Sequence, residues 1–378
     1  MPYVTVPGAS NSVIVNPYGS TANLAIAQQI ANALAQAKSA GNLFVQDSSS
    51  LGTLPAGKIG EVAVTVASGS INVPTGYTFT AIGPSTAGGT SSTGPFTVGG
   101  GGSLFIGDQP VTYYGAASSA AVLIAAGNGN DLISLPTGST YTVGLGNGND
   151  TINANGSGTV TGGTGNNIFF AGGLGTTGGP NQINSYGSAD TIVAGGGSTS
   201  VSTYGSNPLV FGGAGSLTYF GDAPGAPTIV GGTGSEIIFA GSGQNLTFLG
   251  GATGDQLAAG AGNETLNAGG SSANISMAIG SGTVDVIGSK GNDTFFGGSG
   301  VATITSNGGS DLFVFGNVAG HTDGTLTITD FNTSKDSLSL SGVTVASETG
   351  GSSSSLVTLS DGTKITFLGI TNPGSIVT

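Results

Sequence analysis

Apolar residues in this chain come in short alternating clusters separated by glycine. From Gly212 to Phe315 the phrases GGAGSLTYF, GGTGSEIIF, GGATGDQLA, GGSSANISM, GSKGNDTFF and NGGSDLFVF recur every 18 or 19 residues. Weaker half-period copies lie between them, such as NLTF after Gln244, AGNETLNAGG around Glu264 and TVDVIG around Asp285. Each unit of roughly nine residues carries two or three apolar positions at a spacing of two, then a glycine turn. That spacing predicts a short strand with one face inward, and glycine permits the positive φ of a tight turn. One such turn cannot bury its own apolar face, so the array predicts stacked parallel turns. The inward column is predicted to include Ile133, Ile152, Phe169, Ile192, Tyr219, Ile238, Leu257, Phe295 and Phe313.

The same units extend upstream as AAGNGNDLISL around Asp131, GLGNGNDTINA around Asp150, GGTGNNIFFAGG around Asn167 and SADTIVAGGG around Asp190. Successive units are 8 to 10 residues apart except between Asn167 and Asn181, where LGTTGGP reads as a loop inserted at one corner. Counted in half-turns, the array over residues 116–315 comes to about ten turns. The expected fold is therefore mainly β, a parallel β-roll or β-solenoid with a different module on either side.

Residues 1–115 read as an N-terminal α+β unit. Tyr3 to Val6 and Ser12 to Val15 are extended, and Ser20-Thr21 opens a helix over about residues 20–40 that Gly41 stops. Leu24, Ala27, Ile30, Ala31, Leu34 and Ala37 form its apolar stripe, the pattern of a helix lying on a sheet. Strand-like alternation follows at Glu61–Val66, Ser70–Val73, Tyr77–Ile82 and Pro95–Val98. Residues 316–378 read as a C-terminal β cap with a hairpin turn at Ser360-Asp361-Gly362.

Composition narrows the chemistry. The 74 glycines lack the every-third-residue period of collagen, and 37% hydrophobic residues supply a core. Eighteen acidic residues face five basic ones, giving a net charge of −13. No basic residue is arginine, the usual reader of phosphates and base edges, so nucleic acid is a poor partner and cations are the natural one. Cysteine is absent, which removes disulfides and thiolate metal sites. No run of 18 apolar residues could span a membrane. The first thirty residues lack the basic flank and apolar core of a cleavable signal peptide, so export without an N-terminal signal is expected.

GNGNDLISL, GNGNDTINA and GSKGNDTFF resemble the glycine- and aspartate-rich nonapeptides of the RTX (hemolysin-type calcium-binding repeat) family of type I secreted β-roll proteins. The resemblance implies Ca²⁺ held by turn carbonyls and the aspartate of each unit. Carried over residue by residue, it implicates Asp131, Asp150, Asp255 and Asp293, and more loosely Asp190 and Asp311. Independently, a glycine turn aiming carbonyls inward beside one carboxylate suits the all-oxygen shell of calcium. The pattern is interrupted: Asn167, Asn181, Ser200, Leu217 and Asn274 stand at aspartate positions, and the turns from about residue 200 to 250 keep only Glu236 as an acid at that position. By half-turn count, Asp131, Asp150 and Asp190 share one edge, and Glu236, Asp255, Asp293 and Asp311 the other. Asp330-Phe331 and Asp336-Ser337-Leu338 further resemble the segment that closes RTX arrays and carries their export signal.

No catalytic constellation is expected. The single histidine, His321, cannot make the paired ligands of a zinc protease, and no G-x-S-x-G elbow occurs. Two functions remain in view. One is an extracellular structural protein, stabilised by calcium, that self-assembles into a surface layer, filament or biofilm matrix. The other is a calcium-dependent adhesin that binds a cell-surface polysaccharide.

Overall fold

The structure is a computed structural model. It describes residues 4–376 except 8–12, 16–20, 65–68, 84–95, 101, 117–120, 173–178 and 317–322. His321 and most of the loop inserted after Asn167 therefore lie outside the described residues. The fold is mainly β, a parallel β-solenoid of about 13 turns with one helix near the N-terminus. It divides into two compact units, Met1–Ser200 and Val201–Thr378.

In the first unit the chain alternates between two parallel sheets. One runs Leu43–Asp47, Ile59–Val64, Tyr77–Ile82, Ser103–Ile106, Val122–Ala125, Thr140–Gly144, Ser157–Thr161 and Asn181–Ser185. The other runs Gly69–Asn72, Phe96–Gly99, Val111–Tyr114, Leu132–Leu135, Thr151–Ala154, Ile168–Ala171 and Thr191–Ala194. Register stacks buried residues on their counterparts, as in Tyr113, Ile133, Ile152, Phe169 and Ile192. The division expected at residue 115 is not a break. Ser103–Ile106 pairs in parallel with Val122–Ala125, and Val111–Tyr114 with Leu132–Leu135. The described strands between residues 43 and 114 already belong to the solenoid's two sheets, which accounts for the turns beyond the expected ten. Their strands keep the alternation, but loops of unequal length between them erase the period.

The helix spans Thr21–Ser39 and covers the outside of the first sheet. Ile26, Ala27, Ile30 and Leu34 pack on Ala63, Phe79, Ala81, Phe105 and Ala125, so this part of the sheet is buried on both faces. Asn23 pins the helix start by donating to the Ala126 carbonyl at 2.6 Å. At the other end Gly41 takes φ +68, and the Asn42 N–H closes on the Ala37 carbonyl at 2.9 Å. Val4–Val6 and Val13–Val15 pair antiparallel with each other, so the N-terminal arm forms its own hairpin.

The second unit repeats the alternation. One sheet runs Leu217–Gly221, Glu236–Phe239, Gln256–Ala258, Ser276–Ala278, Thr294–Phe296, Leu312–Phe315 and Ser337–Leu340. The other runs Leu209–Phe211, Thr228–Val230, Thr247–Leu249, Asn263–Asn267, Thr283–Ile287, Val301–Thr305 and Thr325–Ile328. The closing residues continue these sheets further than expected: the antiparallel part begins only at Val345–Gly350. Ser354–Leu359 and Lys364–Leu368 complete a meander, with Gly362 at φ +96 in the hairpin turn between them. Lys364–Leu368 docks in parallel on Thr325–Ile328. Phe331 fills the interior between Phe313 (5.6 Å between ring centres) and Phe367 (5.0 Å). Asp330 accepts the Ser306 and Asn307 N–H groups at 2.7 and 2.8 Å.

Turn stacking explains the glycines. A Cβ on Gly146 would lie 1.7 Å from the Gly127 carbonyl oxygen of the previous turn, and one on Gly163 only 1.6 Å from that of Gly146. Any side chain here must push two turns apart. Gly146→Ala should therefore destabilise the protein by about 1–3 kcal/mol in chemical denaturation. Gly270→Ala, where a Cβ meets nothing within 4 Å, should stay within about 0.5 kcal/mol of wild type.

Candidate functional site

Asp131, Asp150, Asn167 and Asp190 each end a glycine turn and precede a strand of the same sheet in the first unit, with side chains buried. Each Oδ1 reaches one turn back. Asp131 accepts the Val111 N–H at 2.8 Å, and Asp150 the Asp131 N–H at 2.8 Å. Asn167 accepts the Asp150 N–H at 3.0 Å, and Asp190 the Asn167 N–H at 2.6 Å. The strand starts are thus laced by a side-chain ladder that satisfies buried backbone donors.

The second unit has its own ladder, at the starts of its other set of strands. Asp255 accepts the Glu236 N–H at 3.1 Å, Asp293 that of Ile275 at 3.0 Å, Asp311 that of Asp293 at 2.8 Å, and Asp336 that of Asp311 at 2.9 Å. Two residues belong here that were not among the expected ligands. Glu236 is the first rung, and Asp336, which the sequence marks only as part of the closing segment, is the last. Its aspartate just before an alternating strand was the available signal. One expected position shifts: Ile275, not Asn274, stands in the column, because that turn is one residue longer. Asn274 instead joins an exposed ladder, its Oδ1 accepting the Asn292 N–H at 2.8 Å. The first unit has similar exposed rungs, Asn130 to Asn149 and Asn149 to Asn166, both at 2.8 Å.

The second oxygen of each acid distinguishes the rungs. Asp190 Oδ2 accepts from the Ser185 hydroxyl and the Gly187 N–H. Asp293 Oδ2 accepts the Ser289 N–H at 2.6 Å, and its Oδ1 the Ser289 hydroxyl at 2.7 Å. Asp131 Oδ2, Asp150 Oδ2, Glu236 Oε2 and Asp311 Oδ2 are buried with no hydrogen-bond partner. Asn167 reveals what surrounds such an atom. Its Nδ2 donates into its own turn, to the Gly165 carbonyl at 3.0 Å and the Gly163 carbonyl at 3.4 Å. Gly163 and Gly165 stack on Gly146 and Gly148, which stack on Gly127 and Gly129. By this equivalence the free oxygens of Asp150 and Asp131 belong beside turn carbonyls. Acceptor meets acceptor there, and only a proton or a cation between them relieves the conflict.

Electrostatics express the same strain. Burial, then the neighbouring Asp150, holds the Asp131 carboxyl well above the usual carboxylate range. Burial pushes Asp150 up to about 7, with Asp190 adding to the rise. In the second ladder burial and the Asp255 carboxyl raise Glu236 to about 8, and burial raises Asp311 to about 6. Asp190 and Asp293 are raised too, against the opposing pull of their serine and backbone donors. No lysine contributes to any of these shifts.

Among the described residues no three or more His, Asp or Glu side chains converge as a metal cluster. A cation here would be held by turn carbonyls and one or two carboxylates. That donor set, all oxygen and part anionic, fits a hard divalent ion such as Ca²⁺ at Asp131 and Asp150. Asp190 and Asp293, already supplied with donors, need none. No protein-family model, no curated protein and no solved structure matches the chain. The RTX-like reading therefore rests on the residues themselves.

Without metal, the unfolded chain releases the Asp150 proton near 3.8 while the folded chain keeps it to about 7. Stability is then greatest below the lower value and falls as pH rises through the upper one, by up to about 1.4 kcal/mol per pH unit for this group. Denaturation in chelator between pH 4 and 8 should show a shallower fall for Asp150→Asn. That variant keeps the acceptor for the Asp131 N–H. Asp150→Ala should lose about 1–3 kcal/mol at every pH, because the buried N–H is left unpaired.

Proposed function

We propose that this is a non-catalytic extracellular structural protein whose solenoid units join end to end into a filament or layer, with calcium in the Asp131 and Asp150 turns. The observation that carries the assembly is a pair of unpaired parallel strand edges. Leu43–Asp47 hydrogen-bonds on one side only, through the Asn42 carbonyl and Ser48 N–H toward Ile59–Val64. The alternation of backbone direction points the Val45 N–H and C=O away from Ile59–Val64, and no strand among the described residues meets them. Among the described residues Ser337–Leu340 likewise pairs only with Leu312–Phe315. A strand like Ser337–Leu340 from one copy can add in parallel to Leu43–Asp47 of the next. Such a contact is head-to-tail and does not close on itself, so it propagates.

Calcium belongs to this reading as a stabiliser. At Asp131 and Asp150 the chain's own groups supply a carboxylate oxygen and turn carbonyls, and the bound ion would neutralise charge that burial penalises. Export to the cell surface rests on the RTX-like repeats and closing segment. Among the described residues, no helix is long and apolar enough to cross a membrane.

A second reading, an adhesin for a neutral polysaccharide, is favoured by a shallow groove on the first unit. Thr140, Thr142, Ser157, Thr159, Asn181 and Gln182 line it with hydroxyls and amides and no charge.

Electron microscopy of the purified chain with and without millimolar calcium tests assembly. Filaments or sheets are expected, and Val45→Pro, which removes an outward N–H without breaking the internal ladder, should abolish them while leaving the protein folded. Monodisperse monomers in both conditions would overturn the reading. For the metal, titration calorimetry should show calcium binding at least tenfold weaker in Asp150→Asn, and unchanged in Asp293→Asn.

A further inference from the structure

Glu61 lies outside both ladders. It sits in Ile59–Val64 on the face turned toward the helix, between Val45 and Phe79 across the sheet and between Ile59 and Ala63 along its own strand. It is 0% exposed, and neither carboxylate oxygen has a hydrogen-bond partner. An ionised carboxylate without partners in an apolar interface is strongly disfavoured, so the docked helix favours the neutral acid.

Few charges face it. Lys38 is the one ionisable residue of Thr21–Ser39; it is exposed and makes no ion pair with Glu61, though its charge opposes the effect of burial. Asp47 ends Leu43–Asp47 and accepts the Ser49 N–H. Val4–Val6, Ser103–Ile106 and Val122–Ala125, which complete this core, carry no ionisable residue, and Tyr77 of Tyr77–Ile82 turns to the opposite face, toward Gly60 and Gln46. Lys58, in the turn before the strand, donates to the Gly41 carbonyl. No donor waits to receive a negative Glu61.

The elements around it differ in how they are held. Ile59–Val64 is hydrogen-bonded on both sides, to Leu43–Asp47 and to Tyr77–Ile82. The helix is held by side-chain packing, by Asn23 at its start, and just beyond its end by the Lys58 ammonium on the Gly41 carbonyl and the Ile59 N–H on the Asn42 carbonyl (2.8 Å); among the described residues no hydrogen bond ties the C-terminal turns Asn32–Ser39 themselves to the sheet. If water must reach Glu61, the C-terminal turns of the helix are what can yield.

We propose that Glu61 is a proton-operated latch: neutral, it lets the C-terminal turns of Thr21–Ser39 dock on the sheet, and ionised, it lifts them and uncovers the apolar surface of Ala63, Phe79, Ile30 and Leu34. The folded carboxyl is held up to about 8, chiefly by burial, against an ordinary value of 4.5. Helix docking is therefore strongest below the ordinary value and weakens with rising pH until the upper one.

Amide hydrogen exchange across this range, corrected for intrinsic chemistry, tests the latch. In wild type the opening constant of Asn32–Ser39 should rise up to about tenfold per pH unit and then level off. Glu61→Gln should flatten that rise, and Lys38→Gln, which removes the charge that lowers the docked carboxyl, should leave its onset in place and carry the levelling-off to higher pH. A rise that persists in Glu61→Gln would overturn the proposal. Should that variant be too unstable to measure, wild type alone decides. The amides of Val122–Ala125 should not follow the helix, and equal pH slopes in both segments would equally overturn the latch.

Discussion

In a parallel solenoid every side chain stands about 4.8 Å from its counterpart in the next turn, so each position must tolerate a copy of itself above and below. Almost everything in this protein follows from that constraint. Isoleucine on isoleucine, as Ile133 on Ile152, and phenylalanine on phenylalanine, as Phe295 on Phe313, satisfy it by dispersion. Glycine satisfies it where a carbonyl oxygen presses on the turn above. Asparagine satisfies it with both donor and acceptor, which is why Asn130, Asn149 and Asn166 can form a continuous exposed ladder.

Aspartate satisfies only half of it. Its Oδ1 serves the backbone as asparagine's does, but the second oxygen has no proton to give. The chain meets this deficit in three ways. Asn167 replaces the acid; Ser185 and Ser289 supply hydroxyls to Asp190 and Asp293; Asp131, Asp150 and Asp311, like Glu236, are left with an oxygen that no protein donor answers. The unanswered rungs, rather than all the acids alike, are where a bound cation makes physical sense.

The same scarcity of donors recurs beneath the helix. One face of the sheet is sealed by coiling and the other by a single amphipathic helix, so a charge on the outer face is as buried as one inside. Glu61 lies under the helix, where burial is least secured by backbone hydrogen bonds, and the two ladders lie where it is most secured. Ionisation should therefore loosen the helix cover before it loosens the coil.

Read without its fold, the chain already discloses much of this. Alternation of two and a period near nineteen determine parallel turns, and the inward residues from Ile133 to Phe313 follow, because burial of one face is a local property of the pattern. The helix and its Gly41 stop were legible for the same reason, as was the shift of the acids from one set of strand starts to the other. The coils at residues 43–114 were not, since unequal loops hide a repeat that only strand pairing restores. Nor could sequence separate Asp150 from Asp293, or predict that Ile275 displaces Asn274. Those distinctions depend on which donors a turn places beside a carboxylate, and that is decided by packing between residues 17 to 25 positions apart. Glu61 was silent for the same reason: nothing in Glu61-Val62-Ala63-Val64 says that a helix covers it, and its chemistry begins only once water is gone.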